Sequence, residues 1–285
     1  MKRLLKLFLI LFAFIALERP FHKATDGFAM VNVYAPPGNN DAWKIDDPFP
    51  ENLCDQTFYY LNSGSQSYVF VSEDGTTVLK LFKFQHMRTP PFLNPLPSVG
   101  KLKMKREKKR KVLEKTFQSL FIAYSHMKEE TGLLYLHLAK TAHLQRTVTL
   151  KDKIGRTHTL DLDAVEFLLQ KRGTLAYSAI DQWMEKGEEE TAKKALRSLL
   201  HLAKERAAKG IFDKDPDFQT NFGFVGESPI QLDFGRLSFA EEEKDPKVYG
   251  PEMIRITRAF ELWIQTHHPS LRATFQEELH ALSAS

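Results

Sequence analysis

Apolar positions follow one another with period two through much of the first half of the chain, and with a period near 3.6 through most of the second. Thr57 to Leu61, Tyr68 to Val71 and Thr77 to Phe82 are short runs rich in aromatic and β-branched side chains, the composition of strands. Ser72-Glu73-Asp74-Gly75 between the last two reads as a hairpin turn. Leu133 to Leu138 and Thr147 to Leu162 alternate as strands, the latter broken by a turn at Asp152-Lys153-Ile154-Gly155, and Val165 to Leu169 is a continuous apolar strand. A single helical stretch runs from the lysine-rich segment at 101 through Ser125, with Leu113, Phe117, Leu120, Phe121 and Tyr124 at helical spacing. After Thr174 the pattern is helical. Leu175 to Glu185 forms one helix, and Glu190 to Lys209 a second, with Ala192, Ala195, Leu196, Leu199, Leu200, Ala203 and Ala207 on one face and Gly210 as its stop. Two more helices, Glu252 to Thr266 and Ser270 to Ser283, close the chain. The expectation is an α+β chain whose first part is a sheet with one helix and whose second part is mostly helical.

Between the two halves of the helical part lies Gly210 to Gly235, where Asp213, Asp215, Asp217, Asn221 and Asp233 fall close together. Pro216 and the Asp/Asn cluster mark a loop. Phe222, Phe224 and Val225 then read as a strand, Gly226 to Pro229 as a turn, and Ile230 to Leu232 as a second strand. Such a hairpin brings Asn221 and Asp233 together at one end. An amide oxygen and a carboxylate there are hard oxygen ligands, suited to Mg²⁺ shared with substrate phosphates.

Loop aspartate, asparagine and a hairpin ending in Asp233-Phe234-Gly235 resemble the catalytic loop and metal-binding segment of the protein-kinase-like superfamily. The upstream chain keeps the spacing of that family's glycine loop and strand lysine. Leu61-Asn62-Ser63-Gly64-Ser65-Gln66-Ser67-Tyr68-Val69 stands in place of the loop, with one of three glycines retained, and Thr77-Val78-Leu79-Lys80 in place of the lysine strand. The resemblance implies a two-lobed fold: an antiparallel β N-lobe with one helix over 56–172, and a reduced α-helical C-lobe over 173–285. It implies ATP and Mg²⁺ as cofactors, with ATP bound between the lobes. Asn62, Ser63, Gly64, Ser65 and Ser67 would cover the phosphates. Lys80 would contact them and be held by Glu114. Gln170 to Gly173, Arg172 included, would form the adenine-facing hinge, and Asn221 and Asp233 would hold the metal.

The family's catalytic aspartate lies five residues before the asparagine, and Pro216 occupies that place. Asp215 and Asp217 flank it, and a one-residue insertion makes Asp215 the base, with Asp213 a further candidate. Tyr249-Gly250-Pro251-Glu252 looks like the family's Ala-Pro-Glu closing motif. Only about 50 residues follow the Asp-Phe-Gly segment. That shortness resembles small bacterial kinase-like proteins that phosphorylate lipopolysaccharide core sugars. The implied activity is phosphotransfer from ATP to an unknown sugar, lipid-linked or protein acceptor. The alternatives are a pseudokinase, binding nucleotide or serving as a scaffold, and a basic membrane-surface module without nucleotide.

Composition adds limits. The net charge of +4 is concentrated in 101–111, KLKMKREKKRK, and gives no reason to expect a nucleic-acid partner. That run reads as the solvated start of a helix, or as a patch for anionic lipid, phosphate or a protein. Cys54 is the only cysteine, which excludes an internal disulfide and zinc sites built on cysteine pairs. His267-His268 has no carboxylate or cysteine at ligand spacing. Residues 1–24 begin with Lys2, Arg3 and Lys6 before an apolar run from Leu7 to Leu17, the layout of a signal peptide or membrane anchor. The run is short for a spanning helix. The expectation is a membrane-associated or exported protein, or one anchored on the cytoplasmic side, with 25–55 as a linker rich in Pro, Gly, Asn and Asp.

Overall fold

The structure is a computed structural model describing residues 19–36, 40–53 and 55–284. The apolar run of residues 1–17 and Cys54 lie outside the described residues. The chain divides into two compact units. The first holds the described residues up to Arg110 together with His137–Leu169, and the second holds Lys111–Leu136 and the chain from Gln170 onward.

A helix over residues 19–25 (α1) leads into the first unit. The main sheet has seven strands: β1 (Thr57–Ser63), β2 (Ser67–Ser72), β3 (Thr77–Phe82), β4 (Leu133–His137), β5 (Thr147–Lys151), β6 (Thr157–Asp161) and β7 (Phe167–Lys171), in the order β4-β7-β3-β2-β1-β5-β6. A single helical turn, α2 (Phe84–Met87), follows β3, and α3 (Gly100–His126) is the long helix expected from the apolar spacing. The pairs β1–β2, β2–β3 and β5–β6 are antiparallel, as tight turns require. β1 and β5 are parallel, so the sheet is mixed rather than wholly antiparallel. The cause is connectivity: β5 is reached only after α3 and β4, and a long excursion permits a parallel return.

Residues 25–35 are not a free linker. Phe28, Val33 and Ala35 are buried. Phe28 meets Tyr68 and Phe70 edge-on, with ring centroids 5.2 Å apart in each case. Tyr68 donates its hydroxyl to Gly27 O at 2.6 Å, and Tyr60 donates to Asp26 Oδ2 at 2.8 Å. Arg88 donates to Tyr34 O and Val31 O. Isolated apolar residues among turn formers give no periodic signal, although each fills a place on the sheet.

The second unit gathers α4 (Ala176–Glu185), α5 (Glu189–Ala208), α6 (Pro246–His267) and α7 (Arg272–Ala284) around one core. The stripe on α5 supplies Ala192, Leu196, Leu199, Leu200 and Ala203, all buried, and Phe260, Ile264 and Phe275 face the same core. Phe218 stacks on Phe222 at 4.6 Å and on Phe260 at 5.5 Å, tying the aspartate loop to α6. Two small sheets complete the unit. β8 (Thr174–Leu175), β10 (Phe222–Val225) and β11 (Ser228–Gln231) pair in the order β11-β10-β8, and β9 (Ile211–Asp213) pairs with β12 (Leu237–Phe239). Tyr249-Gly250-Pro251-Glu252 does not precede a helix; it lies inside α6, whose start is fixed by Pro246 and by Asp245 accepting from Lys247 N at 2.9 Å. No helix among the described residues is long and apolar enough to cross a membrane.

Candidate functional site

The aspartate loop begins where α5 ends. Gly210 sits at φ +67, a conformation that L side chains rarely adopt, and turns the chain out of the helix into β9. Asp213, at the end of β9, is buried together with Arg206 of α5, whose Nη1 lies 3.2 Å from Asp213 Oδ2. Gln231 Nε2 donates to the same oxygen at 2.7 Å, and Asp215 N donates to Asp213 Oδ1 at 2.9 Å. Burial pushes the Asp213 carboxyl up, opposed by the guanidinium beside it, while burial pulls Arg206 down. The Asp213 carboxylate is thus committed to holding the loop. Both of its oxygens are engaged and the side chain is buried, whereas a base needs a face open to the acceptor.

Asp215 is exposed, with Arg236 Nη1 3.4 Å from its Oδ2. Asp217 accepts from Gln219 N and from Thr220 Oγ1, each at 2.9 Å, which makes it a turn-former. Asn221 Nδ2 donates to Asp215 O at 2.6 Å, fixing the asparagine amide against the loop. Its Oδ1 accepts from Thr220 Oγ1 at 3.0 Å.

The hairpin β10–β11 then does what the pattern predicts. Leu232 N and Asp233 N reach Asn221 O at 2.7 and 3.3 Å, so Asn221 and Asp233 meet at one end. Asp233 is exposed, and its Oδ1 accepts from Gly235 N at 3.1 Å. Gln231 spans the arrangement, donating to Asp213 Oδ2 and, at 3.0 Å, to Asp233 O. Behind it, Ser119 of α3 donates to Phe234 O at 2.6 Å and accepts from Leu237 N at 2.5 Å.

Among the described residues no group of three or more His, Cys, Asp or Glu side chains is arranged to hold a metal ion. Asn221 and Asp233, joined through their backbones, offer one amide oxygen and one carboxylate instead. Such a set suits Mg²⁺, which keeps waters and takes phosphate oxygens rather than a full protein cage. A carboxylate has about four lone-pair sites, and Gly235 N takes one of those on Asp233, so the donor chemistry fits the ion.

Gln170 is buried, and its Nε2 donates to Thr131 O at 2.7 Å and to Gln231 O and Leu232 O at 3.3 Å. Its side chain is structural, anchoring the hairpin. Arg172 is exposed.

In the first unit, the turn that stands for the glycine loop is short. Gly64 N donates to Ser67 O at 3.0 Å, and Asn62, Gly64 and Ser65 are exposed while Ser63 and Ser67 are half-buried. Lys83 holds it: Nζ donates to Ser63 Oγ and Gly64 O, each at 2.5 Å, and lies 4.7 Å from the Tyr68 ring centre. Burial lowers the pKa of Lys83. Lys80 lies opposite Val69 on β3, half-buried among buried neighbours. Glu114 is half-buried on the part of α3 that belongs to the second unit.

Sequence reasoning missed Arg206, Gln231, Ser119 and Lys83. Arg206 had a readable signal: with Leu199, Leu202 and Ala203 it keeps the core-facing spacing of α5, seven residues before an aspartate. A buried arginine needs such a partner. A depression of about 730 Å³ in the second unit is lined by Glu129, Lys171, Arg197, His201 and Ile230 and does not include Asp215, Asn221 or Asp233.

No protein-family model matches the chain, and no curated protein matches it in sequence. Some solved structures are similar to it. The bifunctional kinase-methyltransferase WbdD is 14% identical over 75% of this chain and 42% of that one, with a TM-score of 0.34. WbdD with the kinase inhibitor LY294002 gives 13% identity over 77% and 45%, with a TM-score of 0.35. The Rv3197–erythromycin complex from Mycobacterium tuberculosis gives 13% identity over 79% and 55%, with a TM-score of 0.34. The chain spans about half the length of these proteins. At that overlap the likeness assigns no residue.

Proposed function

We propose that the chain is an ATP- and Mg²⁺-dependent phosphotransferase of the protein-kinase-like kind, acting on a hydroxyl acceptor. One observation carries the reading: Asp215, Asn221 and Asp233 are drawn together by Asn221 Nδ2 on Asp215 O and by Leu232 N and Asp233 N on Asn221 O. Two of these three are exposed carboxylates. Asn221 and Asp233 would hold the metal, and Asp215 would take the acceptor's proton. Bound Mg²⁺ supplies charge neutralisation at the phosphate oxygens. Lys80 would be the phosphate contact, and the residues around Gly64 the phosphate cover. Phosphoryl transfer asks mainly for positioning and electrostatics, which such a set provides.

A second reading, a pseudokinase that binds nucleotide without transferring phosphate, is favoured by the grip of Lys83 on Ser63 and Gly64. That grip fixes a turn which a working phosphate cover needs to move. We further propose that residues 1–17 take the protein to a membrane or an export route.

The test is melting of the purified chain with millimolar ATP, with and without Mg²⁺, beside Lys80→Met. A Mg²⁺-dependent rise that Lys80→Met weakens supports both nucleotide readings. No shift and no calorimetric heat would overturn both.

A further inference from the structure

We propose that residues 92–108 form a docking surface for an anionic lipid bilayer. The proposal is independent of the phosphotransfer reading. Eight of the eleven residues from 101 to 111 are basic, and α3 has no acidic residue in its first turn. Cations at a helix N-terminus oppose the macrodipole, and like charges four residues apart repel. The helix therefore carries this run against its own stability.

Some of the charge is absorbed locally. Arg106 Nη2 donates to Leu93 O at 2.7 Å and Leu96 O at 3.0 Å, which fastens the preceding loop to the helix. Lys109 donates to His86 O at 2.7 Å, and Arg110 pairs with Glu107 at 2.7 Å. Lys101, Lys105 and Lys108 are left exposed with Met104, three and four residues apart and so on one face of α3. Met104 is 73% exposed, and the fastened loop shows Phe92, Leu96 and Val99 at 76%, 49% and 68%.

Lysines alone would suit any polyanion. Four apolar side chains held in water beside them are rewarded only by a partner with both charge and hydrocarbon. A bilayer offers anionic headgroups to the lysines and an acyl boundary to Phe92, Leu96, Val99 and Met104. Stable peripheral anchoring takes two signals, and the apolar run at 7–17 would supply the other.

The test uses the full chain in flotation with phosphatidylcholine vesicles and with phosphatidylserine-rich vesicles. Binding to the anionic vesicles should exceed binding to the neutral ones by on the order of a hundredfold, at about fivefold per lysine. The triple variant Lys101→Glu, Lys105→Glu, Lys108→Glu should lose that increment and keep the neutral-vesicle binding. Its melting temperature should change little, because all three positions are exposed and the reversal relieves a run of like charges. Should the triple variant fail to fold, Met104→Asp at its exposed position should still weaken binding to anionic vesicles. Equal binding to both vesicles, or an increment retained in a folded triple variant, overturns the proposal. Duplex DNA binding as tightly as the anionic vesicles, with Phe92→Ser and Met104→Asp silent in both, overturns it in favour of a soluble polyanion.

Discussion

Asp213 in the second unit and Glu166 in the first are sealed from solvent almost equally, at 2% and 1% exposure, yet their surroundings have little in common. Asp213 has a guanidinium, a side-chain amide and a backbone N–H on its two oxygens. Glu166 has Asn40 Nδ2 on Oε1 at 3.1 Å, and Oε2 has no hydrogen-bond partner among the described residues. Burial pushes Glu166 up to about 7, with the charge of Lys140 pulling weakly the other way. Low dielectric thus has two outcomes. Where partners converge, the carboxyl organises a loop; where they do not, its pKa climbs to about 7.

The largest break in this comparison is removal of Arg206. Arg206→Met leaves Asp213 buried and unpaired, and should cost about 3–5 kcal/mol in urea unfolding. A loss under about 1 kcal/mol would show that Gln231 and the Asp215 amide suffice.

Asp233→Asn probes an exposed carboxylate of the same loop system. Transfer of γ-phosphate from labelled ATP should fall by about 10²–10³-fold, with melting little changed. Equal rates in the two proteins would place any measured activity elsewhere, and an inactive wild type that binds ATP with Mg²⁺ would favour the pseudokinase.

Glu166→Gln comes next. The folded-state pKa of about 7 lies above the ordinary glutamate value of 4.5, so the native chain holds the proton more tightly. Stability from this group is intact below about pH 4.5, declines as pH rises, and levels off above about pH 7. The glutamine variant should match wild type in acid and exceed it by roughly 3 kcal/mol near pH 8. A difference independent of pH would sink the assignment.

The smallest effect is that of Lys83→Met, which keeps the stem over Tyr68 and removes both bonds to the β1–β2 turn. It should cost about 1–2 kcal/mol and speed amide exchange in 63–67. Unchanged exchange would mean the backbone bond from Lys83 N to Gln66 O holds the turn alone.

The long periodic elements were legible. The α3 and α5 stripes, the three strands around Asp74-Gly75 and the β10–β11 hairpin follow from local spacing, and the meeting of Asn221 with Asp233 follows from the hairpin. What escaped is non-local. Phe28 and Val33 pack on a sheet whose strands begin more than twenty residues later, and Ser119 reaches Phe234 across 115 positions. Among three aspartates in five residues, spacing cannot say which is buried. That is decided by Arg206, whose place on the core face of α5 calls for a buried partner without saying which aspartate it is.

Gly223 has a consequence for how this chain can vary. A Cβ there would stand 2.3 Å from Thr174 O and 2.8 Å from Leu232 Cδ1, because β8 and β10 pair at that point. A carbonyl fixed in a strand pair cannot swing aside as a side-chain tip can. In a library randomised at this codon and selected for folding, glycine should be recovered almost alone. At Gly155 and Gly187 no atom of the described residues lies within 4 Å of an added Cβ, so their backbone angles set the toll and asparagine should survive there. The strand that carries the chain from Asn221 toward Asp233 is thus locked at its second residue by the absence of a single methyl group.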